Sequence, residues 1–366
     1  MKTVIAGKEG IAEAGEIIRH GGLVAFPTET VYGLGGNALD PKASEKIYSA
    51  KGRPSDNPLI VHVFCKEDVD ALVKSVTADA EILMESFWPG PLTIVLPKAE
   101  CVPYETTGGL ETVAVRCPDN RMTLQFIKEA GVPIAGPSAN LSGKPSPTKA
   151  EHVYHDLNGR IEMILDDGPV GIGVESTIID LTGDQPMLLR PGAITKEALE
   201  ICLQKPVLID PAILAGGMAA DVRPRAPGMK YRHYAPNAPM ILVSTARLKN
   251  RGTSLTETEI AEEDRKTAAY ISCEARKETD NGKRVGIICC SETAELYNGN
   301  LPGMRICVMG SRKDMLTMTR NLFGILRDFD EDGTDKIYAE SFSETGVGFA
   351  LMNRMKKAAG MTEILI

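Results

Sequence analysis

Aromatic side chains are scarce in this 366-residue chain, at 5% of residues, with Trp88 the single tryptophan. A core must therefore be mostly aliphatic, and the chain lacks the interleaved aromatic and basic residues that stack on single-stranded nucleic acid. Histidine is also sparse, with five residues. None stands in a nucleophile-elbow context, so no Ser-His-Asp set is suggested. The eight cysteines include no Cys-x-x-Cys pair, and their spacing gives neither a zinc site nor a disulfide framework. No apolar run approaches the length of a membrane span, and no signal-like apolar core follows Met1-Lys2. A Walker-type phosphate loop and a Gly-x-Gly-x-x-Gly fingerprint are both missing, as is any His/Asp/Glu cluster with metal spacing. Positive charge is in deficit: the net charge is −8, which argues against broad, non-specific binding to nucleic acid. A reduced, cytoplasmic compartment is expected.

What the chain does contain is a mixture of helix and strand signals over its first two hundred residues. Ile11, Ala14, Ile17 and Ile18 form a helical stripe, stopped at Gly21-Gly22. Asp40-Pro41 reads as an N-cap and first helical position, opening a helix toward Ala50. Strands are expected at 23–26, 59–64, 93–96, 112–116, 134–136, 163–165, 177–181 and 187–189. Helices are expected at 78–88, 120–130, 148–157 and 195–204. Several strands follow one another with no helix between, which predicts a twisted mixed sheet bearing helices. Residues 222–239 carry four prolines and five cations counting His233, and read as an extended basic linker. Strand-like runs at 240–244, 285–290 and 306–309 then alternate with helical stretches at 256–266, 313–329 and 346–359. That spacing predicts a smaller parallel α/β domain. The expected division is a first domain over 1–205, a Pro-rich basic linker over 206–239 and a second domain over 240–366.

Four polar clusters interrupt the apolar strands of the first domain. Pro27 to Gly35 places Thr28, Glu29 and Thr30 after a buried strand, suiting either a small polar ligand or a tight, locally bonded turn. Lys51 and Arg53 stand two apart beside Gly52 and Pro54. In extended backbone both would point to one side and converge on an anion; taken alone, a solvated loop explains them better. His62 interrupts an apolar strand, a place where a histidine is more often satisfied in the core than a ligand contact. Arg116 ends the strand beginning at Thr112 and needs an anionic partner, which a structural carboxylate would supply as well as a ligand. Ser138 and Asn140, followed by Ser146 and Thr148, bring hydroxyls and an amide to a strand end. They suit phosphate or ribose oxygens, or a helix N-cap. Ser176 and Arg190 lie farther on. Together these residues describe a pocket for a phosphate-bearing anion and a small carboxylate, working by positioning and charge neutralisation.

The stretches Pro27–Gly35, Lys51–Pro58, Trp88–Pro91, Thr112–Arg116, Pro137–Gly143, Val174–Thr177 and Leu189–Gly192 together resemble the YrdC-like family. The pairing of Lys51-x-Arg53 with Ser138-x-Asn140, and His233-Tyr234-Ala235-Pro236 in the linker, is similar to its longer, two-domain Sua-type form. Gly36 and Gly136 stand where alanine is commoner in that family. The resemblance implies a YrdC-like twisted mixed α/β sheet around a concave, positively charged pocket, with a smaller Rossmann-like α/β domain behind it. It implies a nucleotidyltransferase that makes threonylcarbamoyl-AMP and pyrophosphate from L-threonine, bicarbonate and ATP, for the threonylcarbamoyladenosine modification of tRNA. By the same resemblance Thr30, His62, Arg116, Ser138 and Ser176 hold threonine. Lys51, Arg53, Asn57, Thr112, Asn140, Ser146, Arg190 and Tyr234 hold the nucleotide, with Lys51 and Arg53 catalytic. Mg²⁺ is expected with ATP, and the product is expected to pass to threonylcarbamoyl-transferase proteins. His62 is the least unsuitable general base. The alternatives are an RNA-binding module of the same fold and a paralogue with another adenylylation activity.

Overall fold

The computed structural model describes residues 2–215, 223–230, 233–249, 255–297 and 303–366. It divides into two units, Met1–Tyr231 and Arg232–Ile366.

The first unit is built on an eleven-stranded mixed sheet. Hairpins join Val24–Phe26 to Gly33–Asn37, Leu92–Pro97 to Thr112–Arg116, and Thr177–Asp180 to Met187–Arg190. These are the strands that follow one another with no long helix between. Helices Ile11–Arg19 and Arg121–Ala130 close one part of the sheet. Ile18, Phe126 and Ile127 pack there with Val24, Phe26, Ile134 and Leu165. Each fully buried aliphatic side chain in such a cluster contributes roughly 1.5–3 kcal/mol.

The expected strands and helices recur with shifted ends, but one site-bearing strand was not anticipated. Gly33–Asn37 (Gly-Leu-Gly-Gly-Asn) read as part of a turn; instead it pairs with Val24–Phe26 on one side and Ile134–Ala135 on the other. Its glycines have no side chains to alternate, so the period-two signal is absent. Neighbours fill the vacant volume: a Cβ on Gly33 would lie 2.6 Å from the Phe26 ring.

A second difference concerns Lys51–Asn57. The helix Pro41–Lys51 starts as expected, with Asp40 accepting from the Lys42 N–H at 2.9 Å and Pro41 in the first turn. It continues through Lys51, and Gly52 caps it in the left-handed region at φ 64°. The segment is therefore a helix end and a reversal, and extended-strand alternation does not set the directions of Lys51 and Arg53.

The expected linker over 206–239 is not an independent strand of chain. Leu208–Ile209 pairs with the Met187–Leu188 segment in parallel. Arg225 bonds the carboxylates of Asp180 and Asp210, and Ala226 and Met229 join a core cluster with Ile60, Val95, Ala114 and Ile178. These apolar and ionic partners hold 223–230 on the first unit, whereas His233 onward belongs to the second. Residues 216–222 and 231–232 of the expected linker lie outside the described residues.

The second unit holds five parallel strands in the order Met304–Val308, Val285–Cys289, Lys336–Glu340, Met240–Ser244, Glu363–Leu365. Two of these, Lys336–Glu340 and Glu363–Leu365, were not anticipated, because charged residues end such short runs. Helix Glu257–Asp280 is twice the expected length; a Thr256/Glu259 capping box starts it and strong helix formers carry it onward.

Candidate active site

The first unit buries four of the candidate cations, each near one end of a short element: Lys51, Arg53, Arg116 and Arg190 are 3%, 9%, 3% and 6% exposed. Such burial needs dense polar compensation, and the structure shows where much of it comes from. Lys51 Nζ donates to the main-chain oxygens of Ser138 and Asn140, both at 2.5 Å. Ser142 N–H returns a bond of 2.9 Å to Lys51 O. Ser138 Oγ donates to Asn140 Oδ1 at 2.5 Å, and Asn140 Nδ2 donates to the Leu141 and Lys144 carbonyls. The two halves of the Lys-x-Arg and Ser-x-Asn pattern therefore meet.

Arg53 turns the other way along its own loop, donating to the carbonyls of Asn57 (3.3 Å) and Pro58 (3.1 Å). Asn57 is 2% exposed and its Oδ1 has no partner among the described residues. The Lys230 ammonium lies 3.1 Å from Asp56, so the basic segment 223–230 is tied to this loop.

Arg116 lies opposite His62 in the parallel pairing of Ile60–His62 with Thr112–Arg116. Its Nη1 donates to Thr30 Oγ1 at 3.0 Å and its Nε to Gly90 O at 3.2 Å. Thr30 Oγ1 also contacts Thr28 Oγ1 at 2.8 Å. The anionic partner required by Arg116 is a structural one: Glu29 Oε2 lies 2.6 Å from Nη2. The pair is close but poorly aligned, for among the described residues neither that nitrogen nor either Glu29 oxygen completes a hydrogen bond. Glu29 was visible in the sequence only as a carboxylate within the Thr30 turn.

His62 packs edge-on against Phe26, with ring centroids 5.2 Å apart. Burial, helped by the Arg116 charge, depresses its pKa to about 3, and Nδ1 has no partner among the described residues. The ring is neutral throughout the physiological range and too weak a base to take a proton from an ammonium group. The reading of His62 as a general base fails for this reason.

Ser176 and Arg190, expected in different ligand sets, are in direct contact. Arg190 donates through Nε to Ser176 O at 2.9 Å and through Nη2 to Ser176 Oγ at 3.0 Å. Thr93 Oγ1 completes this group at 2.8 Å from Ser176 Oγ. Ser146 donates to the Glu175 carboxylate at 2.5 Å, so its hydroxyl is not a helix cap here; the helix begins at Ala150. Backbone pairing joins these groups: Gly33 bridges Ser138, and the Gly173 N–H donates to Thr30 O at 3.0 Å. Thr112 starts its strand opposite Pro97 and hydrogen-bonds none of the other candidates. Tyr234 is part of the second unit, 5% exposed and stacked on Phe323 with centroids 5.2 Å apart.

A family model described as "Telomere recombination", covering Sua5, YciO and YrdC proteins, matches residues 16–192. A second, described as "Threonylcarbamoyl-AMP synthase, C-terminal domain", matches residues 194–360. The chain is 47% identical to the threonylcarbamoyl-AMP synthase of Bacillus subtilis, over 96% of this chain and 93% of that one. The chain belongs to the Sua5/YciO/YrdC family. Its likeness to the Pyrococcus abyssi threonylcarbamoyl-AMP synthase is 46% identity, covering 98% of each chain. The solved structure of P. abyssi Sua5 complexed with L-threonine superposes with a TM-score of 0.87, covering 100% of both chains at 44% identity. Both domains of the family's longer form are therefore present, and the mixed sheet followed by a parallel α/β unit is that family's fold.

Proposed function

We propose that this chain is a threonylcarbamoyl-AMP synthase, joining L-threonine, bicarbonate and ATP with release of pyrophosphate. The observation that carries the reading is the meeting of Lys51 with Ser138 and Asn140, in a unit that also buries Arg116 and Arg190. Full-length likeness to synthases of that name supports it.

In this reading threonine lies on the Thr30, His62, Arg116, Ser138 and Ser176 side, its carboxylate toward Arg116. Glu29 keeps Arg116 fixed, so that the guanidinium does not have to be ordered when the substrate arrives. The amine nitrogen attacks the carbon of CO₂ or bicarbonate to form a carbamate. A carbamate oxygen then attacks the α-phosphorus of ATP, and the bond to pyrophosphate breaks. Lys51, Arg53 and Arg190 offset phosphate charge as it redistributes, with Asn57, Thr112, Asn140 and Ser146 orienting the nucleotide. Depressed basicity assigns His62 a shape-defining role beside Phe26. The proton lost by the amine leaves with the bicarbonate-derived oxygen or solvent.

Among the described residues no three His, Cys, Asp or Glu side chains converge on a cation position. Mg²⁺ therefore fits this chain as a companion of the nucleotide phosphates, supplying charge neutralisation there. All eight cysteines are free thiols, and no helix of the described residues is long and apolar enough to cross a membrane. In this reading the enzyme is cytoplasmic and its labile product passes to a threonylcarbamoyl-transferase acting on tRNA.

The test is pyrophosphate release by the pure protein with each substrate omitted in turn. Release is expected only when threonine, bicarbonate and ATP are all present; release without threonine or without bicarbonate would sink the assignment.

A further inference from the structure

The second unit contains a cavity that the adenylyl-transfer reading does not use. From Met240–Ser244 the chain moves two places across the sheet to Val285–Cys289, then to the edge strand Met304–Val308. It next reverses to Lys336–Glu340 and on to Glu363–Leu365. Connections running in opposite directions lie on opposite faces of a parallel sheet. The crevice at the carboxyl ends of strands flanking such a reversal is where open α/β sheets bind ligands. A cavity of about 90 Å³ occupies this place, beyond the end of Lys336–Glu340.

Its walls are polar and carry both signs of charge. Arg312, from the loop after Met304–Val308, pairs with Asp264 of the long helix at 3.0 Å. Glu340 forms part of the lining and is held by the Cys290 N–H at 3.0 Å and by the Thr293 and Tyr297 hydroxyls at 2.8 and 2.9 Å. Two buried polar atoms of the lining have no hydrogen-bond partner among the described residues: Arg312 Nε and Ser341 Oγ. The Glu292 carboxylate stands 3.9 Å from Arg312 Nε, outside hydrogen-bonding range. Buried groups left in this way are costly unless something else satisfies them.

The lining selects the ligand. A simple anion drawn to Arg312 would face Asp264, and a simple cation drawn to Asp264 would face Arg312. A small zwitterion meets both at once, its carboxylate toward Arg312 and Ser341 and its ammonium toward Asp264. The volume corresponds to about three water molecules, which confines the ligand to the smallest amino acids. We propose that this cavity is a binding site for a free amino acid with a small side chain, separate from the threonine and nucleotide sites of the first unit.

Met315 lines the cavity, and its methyl group is a local probe. The full chain, labelled at methionine methyls and assigned with Met315→Leu, is titrated with L-alanine and L-serine, and with acetate and methylammonium as single-charge controls. A saturable shift of the Met315 resonance is expected with one or both amino acids and with neither control. Ser341→Ala should raise the half-saturating concentration about ten-fold or more, the loss of one hydrogen bond to a charged group, and Ser341→Leu should abolish the shift by filling the space. Because Ser341 Oγ bonds nothing among the described residues, Ser341→Ala should melt like the parent, so this arm decides if the leucine variant fails to fold. Silence at Met315 with both amino acids overturns the proposal. So does an equal shift with acetate, or a titration that neither Ser341 variant alters.

Discussion

Glu29 places a carboxylate oxygen 2.6 Å from Nη2 of Arg116, with the two side chains 13% and 4% exposed. Arg116 thus has a permanent counter-ion. Glu29→Gln leaves the guanidinium buried without its charge partner, and removing one member of such a pair costs about 3 kcal/mol. Chemical denaturation should show that loss, and steady-state kinetics should show a raised KM for threonine with little change in KM for ATP. An unchanged threonine KM would mean that Glu29 does not position Arg116 for substrate.

Lys51→Ala removes the ammonium that bridges the Ser138 and Asn140 carbonyls. Pyrophosphate release should fall by about two orders of magnitude or more, the usual cost of losing a charge that stabilises a transferring phosphoryl group. Lys51→Met, which keeps the aliphatic stem, should be no better. Rates within a few-fold of the parent would remove Lys51 from the chemistry.

His62 couples the site to acid stability. Its folded pKa of about 3 lies below the ordinary value of 6.5, so below pH 6.5 the unfolded chain takes up a proton that the folded chain refuses. The stabilising contribution is complete above pH 6.5 and is lost as the pH falls toward 3. At pH 5 the loss is about 2 kcal/mol. Denaturation of His62→Phe at pH 7.5 and pH 5 should show a pH sensitivity smaller by that amount. Imidazole resonances of His62 in the parent should not titrate between pH 8 and pH 5.

The glycine at 33 is required by contact with an aromatic ring. A Cβ there would sit 2.6 Å from Phe26, the ring that packs against His62. Gly33→Ala should destabilise the first unit by about 1–3 kcal/mol and raise the threonine KM. Gly171→Ala, where the nearest atom would be 4.0 Å away, should leave both unchanged.

Lys230 and Asp56 link the basic segment to the loop that carries Arg53 and Asn57. Lys230→Ala should slow pyrophosphate release about three-fold, in keeping with a partly exposed ion pair. Exchanging the two charges, as Lys230→Asp with Asp56→Lys, should recover part of that loss. Equal rates for Lys230→Ala and the parent would make the tie incidental.

Much of this architecture could be read from the residues, and the failures have physical causes. Caps and alternation marked the Pro41–Lys51 helix and the Thr112–Arg116 strand because both signals are local. Gly33–Asn37 was illegible because its packing volume is contributed by neighbours, Phe26 of the paired strand and Ile134 far away in the chain. The need of Arg116 for an anion was plain, but which carboxylate answers it depends on how the turn after Phe26 folds back, which no spacing records. Prolines and cations made 206–239 look like a tether; Ala226 and Met229 gave too weak an apolar signal to show that 223–230 belongs to a core. The failure of His62 as a base was equally hidden, since its basicity is set by burial and by an arginine on the neighbouring strand.

Lys51 is held by main-chain oxygens, and this changes which mutations can reach it. Side-chain replacement at Ser138 leaves its carbonyl where it is, so anchorage of the lysine tolerates changes in composition there. Sliding the backbone is different. The Ile134–Ala135 strand is only two residues long, and a single insertion or deletion between it and Asn140 would carry both carbonyls away from Nζ. Anchorage of Lys51 therefore tolerates side-chain change at Ser138 but depends on strand alignment, so indels in this loop should be far rarer among working variants than point changes at Ser138.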